Sequence, residues 1–205
     1  MRATVLLAIL LGLTAATMPA AEVFARSKPV AASTDTSFDK LGQGADTVVL
    51  QDSAGNSLSW NSLNGKPRIL FFGFTHCPVV CPVTVWELDA ALSEIGARAD
   101  DVKIDFVTLD PKRDTATDMA KYFSGFKGRV LPLTGAEAEI ARLAKAYEIK
   151  FQKVNTGKGE YTLDHTAMAF LIKPDGKVMD TLAFGTTREL SVTRIKALLG
   201  IPPKN

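Results

Sequence analysis

The sequence is poor in the residues that most often carry metal and redox chemistry. Its 205 residues include only two cysteines, Cys77 and Cys81, and two histidines, His76 and His165. Neither cysteine stands near the N-terminus, so a lipid anchor at an export cleavage site is excluded. No block of like charge occurs, and 24 basic against 22 acidic residues leave a formal net charge of +2. That balance makes no electrostatic case for nucleic acid. No internal repeat is present. An apolar run of the roughly 20 residues that span a bilayer is also missing; the run from Ala3 to Ala16 falls short of it.

What is present begins with an export signal. Met1–Arg2 supplies a positive start, Ala3–Ala16 an uncharged apolar stretch, and Val23-Phe24-Ala25 a cleavage site with modest side chains. That order predicts a signal peptide over 1–25, and so a periplasmic protein, with a membrane anchor through residues 3–16 as the alternative. Residues 26–45 are rich in Ser, Ala, Thr and Asp and read as a flexible leader. The remainder, 46–205, is of one-domain size.

From Thr47 onward the apolar pattern is mixed α/β. A short strand at Val48–Leu50 is followed by a turn at Asp52–Asn56 and a break at Asn64–Pro67. Arg68–Phe74 is nearly continuously apolar, as in a strand buried on both faces of a sheet covered by helices. Pro82 suits a helix's first turn, Val85, Leu88, Leu92 and Ile95 recur at helical spacing, and Gly96 offers the stop. Val102–Leu109 and Val130–Leu133 read as strands, and Thr115–Phe123 and Ala136–Tyr147 as helices. Ala167–Ile172 and Val178–Phe184 flank the turn Lys173-Pro174-Asp175-Gly176 as a hairpin. Thr186 and Glu189 form a capping box for a last helix ending at Gly200. A β-α-β half followed by a β-β-α half is the order of the thioredoxin fold. Ile149–Asp164 suits neither a helix nor a core strand, and is expected as an inserted loop or small edge hairpin.

Cys77 and Cys81 fall where the buried strand passes into a helix N-terminus. Unpaired amides and the positive end of the helix dipole favour thiolates there. Both a metal ligand and a redox thiol need that form. Side chains four apart in a helical turn have Cβ atoms about 5–6 Å apart, whereas a disulfide wants about 3.5–4.5 Å. Two thiolates on one metal, each about 2.3 Å from it, sit nearly 4 Å apart. The spacing therefore suits a metal, while Pro78 and Pro82 make the segment irregular enough to keep a disulfide open. A structural disulfide would close a very short loop and stabilise little. A redox-active dithiol, as in a thiol-disulfide reductase, stays as the enzymatic reading.

Two cysteines rarely complete a metal site, and two histidines make the search for a third ligand short. His76 adjoins Cys77, and neighbours on an extended backbone do not readily point at one ion. His165 lies just before the Ala167 strand, and in a thioredoxin-like fold that loop faces the first helix's N-terminus. Thiolates with imidazole suit copper or zinc. With no obvious fourth protein ligand, a Cys77–Cys81–His165 set fits one copper ion.

These residues resemble those of the Sco/SenC family of copper chaperones. The family motif Cys-Pro-x-Val-Cys-Pro is matched by Cys77-Pro78-Val79-Val80-Cys81-Pro82. A second, Asp-Pro-x-Arg-Asp-Thr, is matched by Asp110–Thr115, and the histidine segment Asp-His-Ser/Thr by Asp164-His165-Thr166. The resemblance spans about Thr47 to Leu199. It implies a thioredoxin-like fold and bound copper, Cu(I) or Cu(II). It also implies delivery to the binuclear copper site of cytochrome c oxidase subunit II or to another copper chaperone. Some members look more like reductants of that site. One departure is Val79, where the family commonly has Asp; it removes a charge and a hydrogen-bond acceptor.

Other residues are expected in plainer roles. Asp114 and Thr115 read as a helix cap, and Asp110 and Arg113 as either neighbours of the site or a docking surface. Trp86, the phenylalanines and Met168 are expected in the core, and Asp164 either orients His165 or starts a turn.

Overall fold

The computed structural model describes residues 38–157 and 159–202. The expected signal peptide and residues 26–37 of the expected leader lie outside the described residues. Among the described residues no helix is long and apolar enough to cross a membrane.

The chain forms strands β1 (Val49–Asp52), β2 (Ser57–Ser59) and β3 (Arg68–Gly73), then helix α1 (Val80–Ile95) and strand β4 (Lys103–Thr108). Helix α2 (Ala116–Tyr122), strand β5 (Val130–Thr134) and helix α3 (Glu137–Ala146) follow. Strands β6 (Phe151–Gly157), β7 (Glu160–His165), β8 (Met168–Ile172) and β9 (Val178–Ala183) precede helix α4 (Arg188–Leu198). Seven strands make one sheet in the order β2-β1-β5-β4-β3-β8-β9, and β6 and β7 pair separately.

β3 is the centre of the fold. It runs parallel to β4 and antiparallel to β8, and every one of its residues is buried. The apolar run Ile69-Leu70-Phe71-Phe72 fills both faces of the sheet, and each of these side chains is fully inaccessible. β4 joins β5 in parallel, and β8 joins β9 antiparallel. The strands β9-β8-β3-β4 with α1 and α4 are the thioredoxin-like core. The strand beginning β3 is polar: Arg68 pairs with Asp105 of β4 at 2.8 Å, both buried, and lies 4.2 Å from the Trp60 ring centroid.

Most expected elements stand within two residues of their predicted limits. Gly96 ends α1 with φ +77°, a conformation open to glycine. The expected edge hairpin is β6–β7. Four expectations are corrected. Phe38 to Ala45, assigned to the flexible leader, are folded onto the domain: Phe38 and Leu41 pack on the core, Ala45 is fully buried, and the Gly42 amide donates to the Ala146 carbonyl. The cap of α4 is Thr187, whose hydroxyl accepts from the Leu190 amide, while Thr186 donates to the Ala183 carbonyl instead. Trp86, Phe151 and Phe184 are exposed rather than core. Trp86 falls on the face of α1 turned away from Val85, Leu88 and Leu92, where Arg188 covers its ring at 5.1 Å. Asp114 is fully buried and is not the cap of α2; Thr115 alone fills that role, accepting from the Asp118 amide.

Candidate metal site

Both predicted sulfur positions lie just past the carboxyl end of β3, where ligand sites of open α/β sheets collect. Gly73 closes that strand. A Cβ there would come within 2.9 Å of the Phe106 ring and 3.0 Å of Cys81 Sγ, so only glycine admits the cysteine this close to the sheet. The chain then turns, with the Cys77 amide donating to the Phe74 carbonyl at 3.2 Å.

Helix α1 starts without an ordinary cap. Val79 occupies the N-cap with φ −139° and ψ −59°, offers no side-chain acceptor, and is exposed. Its place is taken by sulfur: the Cys81 amide donates to Cys77 Sγ at 3.3 Å. An unpaired N-terminal amide is thereby satisfied by the side chain four residues upstream. Both cysteines are free; Cys77 is half-buried and Cys81 is 1 % exposed. Burial pushes the Cys81 thiol well above the usual range, so without a bound cation it holds its proton.

His165 ends β7 and reaches the same spot from the other side. Its Nε2 stands 3.5 Å from Cys81 Sγ. Its Nδ1 is 3.0 Å from the Thr166 carbonyl oxygen. A carbonyl only accepts, so Nδ1 carries the hydrogen and Nε2 presents its lone pair to the sulfur. The ring is held edge-on by Phe74, centroids 5.9 Å apart, and Phe71, 6.4 Å apart. Burial among these rings pulls the imidazole below its ordinary pKa, against the opposing effect of the Thr166 carbonyl. The Thr166 carbonyl, rather than the exposed Asp164, orients the ring.

The site is therefore asymmetric: one buried thiol, one imidazole lone pair beside it, and one sulfur nearer the surface. Among the described residues no three His, Cys, Asp or Glu side chains already converge as a metal-holding group. The structure brings Cys81 and His165 together, and leaves Cys77 beside them rather than closed upon them. His76 points elsewhere; its Nδ1 lies 3.1 Å from Thr75 Oγ1 and 3.6 Å from Asp114 Oδ1. A shallow depression lined by Lys150, Phe151, Gln152, Asp164, His165 and Thr166 opens beside the imidazole. A more enclosed groove between α1 and the start of α4, lined by Val83, Glu87, Phe184 and Arg188, contains none of the three.

Around the site lies a polar network that sequence reasoning only half found. Asp114 accepts from the Thr75 amide at 2.9 Å and hydroxyl, and from the Thr108 hydroxyl at 2.6 Å. Asp110, 1 % exposed, accepts from Arg113 Nε on one oxygen and from the Tyr161 hydroxyl at 2.8 Å on the other. Arg113 also donates to the Tyr161 carbonyl at 3.0 Å and stacks 3.8 Å from its ring centroid. Asp110, Arg113 and Asp114 were visible as a motif. Tyr161 and Thr75 were missed, because nothing local to them in sequence marks a hydrogen bond to a carboxylate some 40 or 50 positions away.

Residues 44–200 match the sequence model of the SCO1/SenC family. Bradyrhizobium japonicum ScoI, solved with copper bound, superposes with a TM-score of 0.68 at 38% identity, covering 74% of this chain and 96% of that one. Yeast Sco1 with copper bound gives 0.69 at 28% identity, covering 76% and 88%. Protein sco1 of Schizosaccharomyces pombe is 32% identical over 144 residues, 68% of this chain and 55% of that protein. The chain thus spans about half the length of the curated relatives it matches, 49% in Arabidopsis thaliana SCO1 homolog 1. A match over most of the chain, by sequence and by fold, makes it a member of the SCO1/SenC family.

Proposed function

We propose that this protein is a metallochaperone that carries one copper ion on Cys77, Cys81 and His165 as cargo. The observation that carries the reading is the 3.5 Å between Cys81 Sγ and His165 Nε2. A thiolate and an imidazole bound to one tetrahedral ion, at bond lengths of about 2.3 and 2.0–2.1 Å, lie about 3.6 Å apart. The second sulfur, on a turn at the helix N-terminus, supplies the remaining donor with a small swing toward them. The donor set is soft sulfur with one imidazole, suited to Cu(I). Family members solved with copper bound support the same cargo.

Uptake of the ion displaces the Cys81 proton, so affinity rises with pH. Oxidation of the pair by a partner's disulfide, which takes the two electrons and is itself reduced to two thiols, leaves a Cys77–Cys81 disulfide, removes both sulfur donors and releases the ion. The receiving partner is a copper site of like donors, cytochrome c oxidase subunit II or another copper chaperone. The protein acts after export, in the periplasm, with residues 1–25 as its signal.

The test is an anaerobic Cu(I) titration of the fully reduced protein against a competing chelator, beside His165→Ala and Cys81→Ser. Tight one-to-one binding, weakened by loss of His165 and abolished by loss of Cys81, is the expected result. Binding no tighter than that of a generic dithiol and indifferent to His165 would overturn it. The pair would then be a thiol-disulfide reductant of a partner's cysteines.

A further inference from the structure

His165 is carried by the least embedded part of the fold. β6 and β7 form a sheet of their own, and most of their residues are exposed. A two-stranded hairpin is marginal by itself in water, so the position of the imidazole depends on what ties β7 down. The two-residue period of a strand puts Tyr161, Leu163 and His165 on one face. Leu163 is buried, and Tyr161 meets Arg113 and Asp110 as described.

The other partner of the site is tied to the same short segment. Asp114, the residue directly after Arg113, fixes Thr75, two positions before Cys77, through the Thr75 amide and hydroxyl. Thr108, at the end of β4, ties down both ends of this segment, donating its hydroxyl to the Asp114 carboxylate and accepting from the Asp110 backbone amide at 2.9 Å. Three residues of one five-residue segment, Asp110, Arg113 and Asp114, thereby grip the strand that ends in His165 and the turn that leads to Cys77.

We propose that Asp110–Asp114 is the spacing element of the site, with Arg113 a positioning residue that sets His165 against Cys81 through Tyr161. The guanidinium is suited to this because it grips at three points: a planar stack on the ring, a bond to the Tyr161 carbonyl and a bond to Asp110. A lysine keeps the charge but loses the plane and the fork. Tyr161→Phe is milder still, keeping the stack and losing only the bond to Asp110.

The experiment has two arms, and the second rests on the copper reading. In the metal-free, reduced protein, hydrogen–deuterium exchange is followed by peptide in wild type, Arg113→Lys and Tyr161→Phe. Exchange over 151–165 rises about tenfold or more in Arg113→Lys, the scale of one lost charged hydrogen bond, and less in Tyr161→Phe. Peptides over 68–73 stay unchanged. Equal exchange in all three proteins, or a rise spread evenly over the domain, would overturn the proposal. In the second arm Cu(I) affinity is measured for Arg113→Lys, His165→Ala and the double variant. A spacing role predicts that Arg113→Lys weakens binding alone yet adds nothing once His165 is gone; full additivity would overturn it. If His165→Ala leaves Cu(I) affinity unchanged, the copper reading falls, and the exchange arm by itself decides whether the segment holds β7.

Discussion

The two strands that lead to the proposed metal site are built in opposite ways. β3, which leads to the cysteines, is buried along its whole length and bonded on both edges. β7, which ends in His165, has one strand neighbour, β6, and only one fully buried residue, Leu163. The sulfur side is fixed by hydrophobic burial, which is strong and non-directional. The imidazole side is fixed by a few directional polar contacts, which are weaker and can be altered one at a time. The site thus joins a part that hardly changes without unfolding the domain to a part that can move within a folded one.

Substitutions should separate the two. The largest effect is expected for Phe71→Ala in β3, which removes a fully buried ring touching Phe106 and the His165 ring. A loss of about 3–5 kcal/mol is expected in urea unfolding; a loss below about 1 kcal/mol would remove the distinction drawn between the strands. Gly73→Ala comes next. The added methyl meets Phe106 and Cys81 Sγ, and overpacking of this kind costs about 1–3 kcal/mol. Because the sulfur is one of the displaced atoms, Cu(I) affinity should fall with stability, which parallel titration and unfolding would reveal.

A pH effect on the imidazole side should be smaller. Burial holds the folded His165 below the ordinary imidazole value of 6.5. The unfolded chain therefore takes up this proton first as pH falls, and stability present above that value is lost as pH drops through the folded pKa. Urea midpoints of the reduced, metal-free protein should be lower at pH 5.5 than at 7.5, and His165→Gln should flatten the difference. An undiminished slope in His165→Gln would assign the effect to other groups. Smallest of all, Phe151→Ser, on the exposed face of β6, should change stability by no more than about 0.5 kcal/mol, and a larger loss would show that the hairpin shares the domain's core.

The same contrast governs how much was legible beforehand. β3 could be read because burial on both faces leaves an unbroken apolar run, Ile69 to Phe72, that few other structures produce. The meeting of Cys81 with His165 could be read because cysteine and histidine are scarce and the fold order places them opposite one another. Trp86 could not. Helix α1 is apolar on more than one side, so its pattern did not show that Val79, Val83 and Trp86 lie outward. The cap of α4 was misplaced by one residue because Thr186 and Thr187 are adjacent and either could accept. Asp114 looked like a cap because a local role is all that a local pattern can suggest. Its donors, Thr75 and Thr108, come from two other elements, and only the folded chain brings them together.

The unequal depth of the two sulfurs imposes an order of events. Cys77 is partly open to solvent, and Cys81 is sealed beneath it against Gly73 and Phe106. Of the two sulfurs, Cys77 is the one open to an ion, an alkylating reagent or another protein's thiol arriving from outside. On the copper reading proposed above, departure would run in reverse, with the outer sulfur as the last atom of this protein to let go. On that same reading, exchange at such a site would be a relay of single-ligand substitutions, and a receiving protein would need to engage only the outermost donor to begin it.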